Sequence, residues 1–116
     1  MPATIVEIGK STYTLNFTVN SLCTYEDTFD QDVSTYLRKP TINNLRGVLW
    51  AGLLDGKPEI TQEETGKIMD DYLKEGNTTS DIYNLLTSAL IDSGFFTKSG
   101  NEKKSPTKTK KGQKNG

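Results

Sequence analysis

The chain has 116 residues, 33% of them hydrophobic, and a formal net charge of −1. This length supports one domain with a single modest core, and it leaves little apolar material for a deep internal pocket. The single cysteine, Cys23, excludes an internal disulfide and a cysteine metal cluster, as expected in a reducing cytosol. No apolar run approaches the roughly 20 residues that span a membrane, and the first residues lack the pattern of a secretory signal.

The charge is divided unevenly along the chain. Residues 1–97 carry 7 Lys or Arg against 14 Asp or Glu, a net charge of −7. Residues 98–116 carry 7 Lys against Glu102 alone, a net charge of +6, and almost no apolar side chain. Such a composition cannot offset the entropy of ordering. The sequence therefore predicts an acidic folded domain over 1–97 and a disordered Lys-rich tail over 98–116.

The N-terminal segment has the pattern of a β-hairpin. Ile5 to Ile8 and Tyr13 to Phe17 are rich in β-branched and aromatic residues, and Gly9-Lys10-Ser11 lies between them. In the second run Tyr13, Leu15 and Phe17 alternate with polar residues, which predicts one buried face. A lone hairpin is marginal in water, so we expect it to pack against the rest of the chain.

From Thr18 the apolar period becomes helical. Thr18 is a plausible N-cap for a helix that includes Val19, Leu22 and Phe29, and Asp30-Gln31-Asp32 interrupts it. A short apolar stripe of Val33, Tyr36 and Leu37 follows. Lys39-Pro40 ends that stripe, because the residue before a proline is pushed out of the helical region.

Three longer helices are predicted after Pro40, each with a threonine or serine at its start. Thr41 begins a helix with an apolar stripe from Ile42 to Leu54, Gly56 stands where a left-handed C-terminal cap belongs, and Pro58 prevents continuation. Thr61-Gln62-Glu63-Glu64 is a capping-box pattern for a helix that ends near Glu75 at Gly76. Thr79 or Ser80 caps the last helix, which ends at Gly94. The stripes of these two helices are Ile68, Met69, Tyr72 and Leu73, then Ile82, Leu85, Leu86, Ala89 and Leu90.

Together these elements predict an α+β fold that is mostly α. The N-terminal β-hairpin packs on a small bundle of about four helices, and the basic C-terminal tail is disordered.

The side chains needed for catalysis are scarce. The chain contains no histidine, which removes the usual general base and the commonest metal ligand. Glu63-Glu64 suit a helix N-terminus, and Asp70-Asp71 suit a solvated helix face. Asp27, Asp30 and Asp32 lack the glycine and the closing glutamate of a calcium loop. We therefore expect no catalytic, cofactor-binding or metal site, and we expect Cys23 to fill space in the core.

The candidate partner-binding residues are apolar. Trp50 admits two interpretations: it packs under the hairpin, or with Leu53 and Leu54 it lines a groove for a partner, since tryptophan is enriched among binding hot spots. Phe95 and Phe96 admit the same two interpretations, as a hydrophobic seal on the core or as a binding surface. The candidate site is thus Trp50, Leu53, Leu54, Phe95 and Phe96.

The order of these elements resembles a known family. A hairpin from Ile5 to Leu15 leads into Phe17-Thr18-Val19-Asn20-Ser21-Leu22, then a Leu-Trp-Ala-Gly-Leu helix (Leu49 to Leu53), a Glu-rich helix capped by Thr61 and a final leucine-rich helix. Over about residues 4–96 this arrangement is similar to the tail assembly chaperones of siphovirus bacteriophages. The family is recognised by element order and pattern, and it has no invariant motif.

The resemblance implies function, partners and location. Members of the family act in virion morphogenesis in the host bacterial cytoplasm and are absent from the mature virion. They bind and solubilise the tape measure protein and help to recruit tail tube protein subunits. The resemblance thus implies these two partners and a non-enzymatic role, with self-association left open, and we expect no membrane and no specific nucleic acid as a partner.

Two other functions stay open from the sequence. One is a small helical DNA-binding or regulatory protein, although the only basic residues in 41–75 are Arg46, Lys57, Lys67 and Lys74. The lysines of 98–116 come without arginine or aromatic residues, so they permit at most non-specific phosphate contact. The other is a structural tail completion protein.

Overall fold

The computed structural model describes residues 4–97, which form a two-stranded antiparallel sheet and five helices. This confirms the predicted α+β, mostly α fold, with a hairpin followed by four longer helices and one single-turn helix. The prediction of a disordered tail concerns 98–116 and lies outside the described residues. The elements are β1 (Thr4–Ile8), β2 (Ser11–Leu15), α1 (Val19–Phe29), α2 (Thr35–Arg38), α3 (Ile42–Leu53), α4 (Gln62–Lys74) and α5 (Thr79–Asp92).

The hairpin is closed by a two-residue turn, Gly9-Lys10. Ile8 pairs with Ser11 and Val6 with Tyr13, so Val6, Ile8, Tyr13 and Leu15 share one face. Gly9 has φ +64° and Lys10 is not in the positive-φ region, the pattern of a type II′ turn. Ile8 and Leu15 are buried, which confirms the predicted inner face.

All four long helices begin at a threonine. In each, the hydroxyl oxygen of the capping residue accepts a hydrogen bond from the backbone N–H three positions on, which removes one of the unpaired donors of the first turn. The capping residues are Thr18, Thr41, Thr61 and Thr78. The predicted cap of the last helix at Thr79 or Ser80 is wrong, because Asp81 reaches back to the N–H of Thr78 at 2.8 Å and completes a capping box there.

Helix ends differ from the prediction at one place. Gly76 (φ +93°) and Gly94 (φ +91°) follow α4 and α5 in the left-handed region, as expected for glycine just past a helix end. The predicted left-handed cap at Gly56 is wrong. α3 ends at Leu53, its C-cap Leu54 has a right-handed conformation, and Gly56 does not have a positive φ.

Helix α3 lies at the centre of the fold and packs against the other four helices and β2. Two aromatic rings sit directly on its backbone: Phe17 over Gly52, and Phe29 over Gly47. Leu45, Val48, Leu49, Ala51 and Leu53 supply its buried face. Ile42 was expected on this apolar stripe but is 59% exposed, because it is the first residue of the helix.

Cys23 is exposed on α1, so the expectation that it fills space in the core is wrong. The inward positions of α1 are Ser21, Leu22 and Tyr25, and Cys23 falls on the opposite side of the helix.

Candidate partner-binding surface

Trp50 is half-buried on α3 and fixes the loop that follows this helix. Its indole N–H donates a hydrogen bond of 3.0 Å to the carbonyl oxygen of Ile60. Its ring meets Phe29 edge-on, with 6.1 Å between the ring centroids. Of the two interpretations of Trp50, these contacts support packing within the fold, but they are with Phe29 and Ile60 and not with the hairpin. Trp50 instead joins α1, α3 and the loop 54–61.

Leu53 and Leu54 have different environments. Leu53 is 2% exposed and belongs to the core. Its predicted place in a partner-binding surface is therefore wrong, because it offers no area to a partner in this conformation. Leu54 is the C-cap of α3, is half-buried, and lines a shallow cavity of about 390 Å³ beside Thr18, Ser21 and Pro58. Of these two leucines, only Leu54 has surface available to a partner.

Phe95 and Phe96 follow α5, and their contacts are with other elements than the contacts of Trp50. The Phe96 ring is stacked on Tyr36 of α2, with 6.4 Å between centroids. The backbone N–H of Phe95 donates to the carbonyl oxygen of Leu90 at 2.9 Å. Both rings are half-buried against the core. The five candidate residues therefore do not form one site: Trp50 and Leu54 lie near the loop after α3, and the two phenylalanines lie near α2.

An open groove, absent from the sequence prediction, runs between the hairpin, the loop after α3 and α4. Its volume is about 680 Å³. Tyr13, Ile60 and Ile68 supply its apolar surface together with Pro58, and Lys57, Glu59, Glu64 and Lys67 supply charges of both signs. We call this feature the Tyr13 groove. Because the Trp50 indole N–H donates to the Ile60 carbonyl oxygen, Trp50 helps to hold Ile60 in its position in the groove.

The charged groups around the Tyr13 groove are held by specific contacts. The Lys57 ammonium lies 5.7 Å from the centroid of the Tyr13 ring, within the range of a cation–π interaction. Glu64 accepts a hydrogen bond of 2.9 Å from the Thr61 N–H, which also fixes the start of α4. The groove thus combines apolar side chains with charged groups of both signs, two of which are held in place, a composition that suits one face of an amphipathic helix.

The sequence carries a weak signal for this groove. Ile60 is a large apolar residue in an otherwise polar connection between two predicted helices. Its proximity to Tyr13, some 47 positions earlier in the chain, depends on how the hairpin packs, which periodicity does not report.

A half-buried arginine, Arg46, lies at the interface of α3 and α4. The Arg46 side chain lies along Gly66 of α4, and its Nη2 donates to the Asn43 amide oxygen at 3.3 Å. Its Nε is buried and has no acceptor within residues 4–97. This donor is the one buried side-chain polar atom that the described residues leave without a partner.

The tyrosine hydroxyls with shifted pKa values are structural. Burial raises the pKa of Tyr36 to about 12, while a hydrogen bond to Thr87 at 2.7 Å lowers it. Burial also raises the pKa of Tyr25, against the effect of its hydrogen bond to Gln31. Neither hydroxyl lines the Tyr13 groove. Within residues 4–97 no three His, Cys, Asp or Glu side chains form a cluster that could hold a metal ion.

Comparison of the chain with protein families, with curated proteins and with solved structures finds no match in any of the three. Over the described residues, no helix has the length and apolar character needed to cross a membrane.

Proposed function

We propose that this protein is a tail assembly chaperone of a long-tailed bacteriophage, which binds an apolar helical client, the tape measure protein, in the Tyr13 groove. The observation that supports the client-binding role is the groove itself, an open groove that combines apolar side chains with charges of both signs. The element order from the hairpin to the leucine-rich last helix supports the choice of family. On this proposal the protein works in the host cytoplasm without catalysis and helps to recruit tail tube subunits.

Helix-in-groove binding would use both the apolar side chains and the charged side chains of the groove. A client helix would bury its apolar stripe on Tyr13, Pro58 and Ile60, while Lys57 and Lys67 on the rim would face client carboxylates. A few buried anchors dominate the free energy of such contacts. The acidic domain, with a net charge of −7 over residues 1–97, would keep the complex soluble.

Co-expression with the long helical protein encoded in the same genome tests the proposal. We expect the client to be recovered in the soluble fraction with the wild-type protein and lost with the Ile60→Asp and Tyr13→Ser variants. Removing an anchor of this kind weakens binding by about 2 kcal/mol or more. The matched control is Ile42→Asp, which places the same acidic side chain at an exposed isoleucine that does not line the groove.

The controls separate the possible outcomes. The melting temperature of each variant, followed by circular dichroism, must stay near that of the wild type. Equal client recovery with Ile60→Asp and Ile42→Asp would show that the client binds elsewhere. No recovery with the wild type would contradict the chaperone function, and an accompanying DNA shift that weakens steeply with salt would favour the DNA-binding alternative.

A further inference from the structure

The outer edge of β1 has unpaired backbone groups. Ile8 and Ser11 flank a two-residue turn and form a hydrogen-bonded pair, so the alternation of an antiparallel ladder makes Val6 and Tyr13 the next bonded pair. The N–H and C=O groups of Ile5 and Glu7 therefore point away from β2. Within residues 4–97 no hydrogen bond satisfies these groups.

The other edge of the hairpin is partly covered. The backbone N–H of Asn16, just past β2, donates to the carbonyl oxygen of Gly52 at 2.9 Å. Its side-chain amide donates to an Asp55 carboxylate oxygen at 3.0 Å. The end of α3 thus closes one end of the β2 edge, whereas no backbone hydrogen bond within residues 4–97 engages the outward groups of β1.

The β1 edge lacks several of the features that normally prevent edge-to-edge pairing, and its one charged side chain is Glu7. Such edges are usually protected by lysine, proline or a bulge. β1 reads Thr-Ile-Val-Glu-Ile, with no lysine or proline and a regular register. Ile5 is 68% exposed, the most exposed large apolar side chain of the described residues. The adjoining turn is held in place because the Gly9 N–H donates to the Glu75 carboxylate.

We propose that two copies of this chain associate through β1, antiparallel, about a two-fold axis at Val6. The backbone groups of Ile5 and Glu7 then bond to those of Glu7 and Ile5 in the second copy, and each such pair exchanges two hydrogen bonds. The product is a four-stranded sheet across the dimer, a closed and self-complementary contact.

The register follows from the positions of the outward groups and from charge. Within β1, only Ile5 and Glu7 have backbone N–H and C=O groups that point away from β2. The residues that pair between the two copies must therefore be odd-numbered. Placing Glu7 opposite Glu7 of the second copy would set like charges directly across the strands, which is destabilising. Placing Ile5 opposite Ile5 would leave each Glu7 opposite residue 3, which is outside the described residues. Pairing Ile5 of each copy with Glu7 of the other gives hydrogen-bond partners to the outward backbone groups of both residues in both copies, all within β1.

Sedimentation equilibrium of the full chain tests the association. The interface is small, so we expect a reversible equilibrium across roughly 10–300 µM. The weight-average mass should rise with concentration from the 12.9 kDa of one chain toward twice that value. A mass that stays at 12.9 kDa over this whole range would overturn the proposal.

Variants at the edge test where the contact lies. Ile5→Pro removes an outward N–H and leaves the β1–β2 ladder bonds intact, so it should abolish association. Ile5→Lys should do the same by placing a charge on the edge, and it replaces Ile5→Pro if the latter unfolds. Val19→Lys is the matched control, since Val19 is 65% exposed but lies on α1. Association that survives both Ile5 variants, or that Val19→Lys abolishes, would contradict pairing through β1.

Discussion

The ring of Phe17 lies on the backbone of α3 at Gly52, where a Cβ atom would come within 2.8 Å of the ring's Cζ atom. Phe29 has the same relationship to Gly47, at 2.7 Å. Phe17 immediately precedes the capping residue of α1 and Phe29 is the last residue of that helix, and each ring occupies the space that a side chain on α3 would fill. The two glycines therefore set the distance between α1 and α3.

We expect Gly52→Ala to destabilise the protein by about 1–3 kcal/mol, the usual cost of an overpacked core. Phe17 is 3% exposed, so its ring has no room to move aside. Gly47→Ala should cost less, because Phe29 is only half-buried and its ring can shift toward solvent. Urea unfolding followed by circular dichroism measures both.

Gly66→Ala is the control for the helix propensity of alanine. Gly66 lies within α4, and a Cβ there would contact the Arg46 Cδ atom at an ordinary 3.5 Å. Alanine in a helix interior is more favourable than glycine by roughly 0.5–1 kcal/mol, so this variant should be more stable than the wild type. If Gly52→Ala also gained stability, the ring contact would not constrain the packing of α1 on α3.

We expect Trp50→Phe to destabilise the protein by about 1–2 kcal/mol. The variant keeps an aromatic ring against Phe29 but leaves the Ile60 carbonyl without the indole N–H. Trp50→Leu, which loses both contacts, should cost more. Chemical denaturation followed by circular dichroism gives both values, and equal stability of wild type and Trp50→Phe would contradict a structural role for the indole hydrogen bond.

The fold was predictable where the signal is local. Thr61 and Glu64 form a capping box that depends on residues three apart, so the start of α4 was correctly identified. The start of α5 was misplaced because Thr78, Thr79 and Ser80 are all acceptable caps. The choice among them depends on Asp81, which stands three positions after Thr78 and completes the capping box with it.

The partner-binding surface was less predictable because it depends on packing. The apolar stripe of α3 does not show that Leu53 is enclosed or that Ile42 is exposed, since other elements surround this helix along most of its length. The Tyr13 groove combines the hairpin, a loop and α4, and no periodic pattern joins residues so far apart in the chain.

We expect Thr78→Ala to destabilise the protein by about 1 kcal/mol, because it removes the acceptor for the Asp81 N–H at the start of α5. Ser80→Ala, two positions later and exposed, should be within about 0.5 kcal/mol of the wild type, as is usual for such surface substitutions. Thermal unfolding distinguishes the two. The reverse order of stabilities would place the cap at Ser80, one of the two positions that the sequence alone suggested.

The last prediction concerns the buried hydroxyl of Tyr36, which is hydrogen-bonded to Thr87 at 2.7 Å. Burial raises its pKa from 10.0 to about 12, so the folded state keeps this proton over a pH range in which the unfolded chain releases it. Its contribution to stability is fully present below pH 10 and is lost as the pH rises toward about 12. Within that window the free energy of unfolding should fall by up to about 1.4 kcal/mol per pH unit from this group.

Tyr36→Phe should therefore flatten the alkaline decline in stability, although it loses about 1 kcal/mol at neutral pH with the hydrogen bond. Thr87→Val is the matched control: it breaks the same hydrogen bond but retains the phenol, so its alkaline decline should be at least as steep as that of the wild type. Burial also raises the pKa values of Tyr25 and Tyr72, so some decline should persist in Tyr36→Phe. Urea unfolding at pH 8, 10 and 11 measures these slopes. Parallel curves for wild type and Tyr36→Phe would show that Tyr36 does not govern the alkaline limit of the fold.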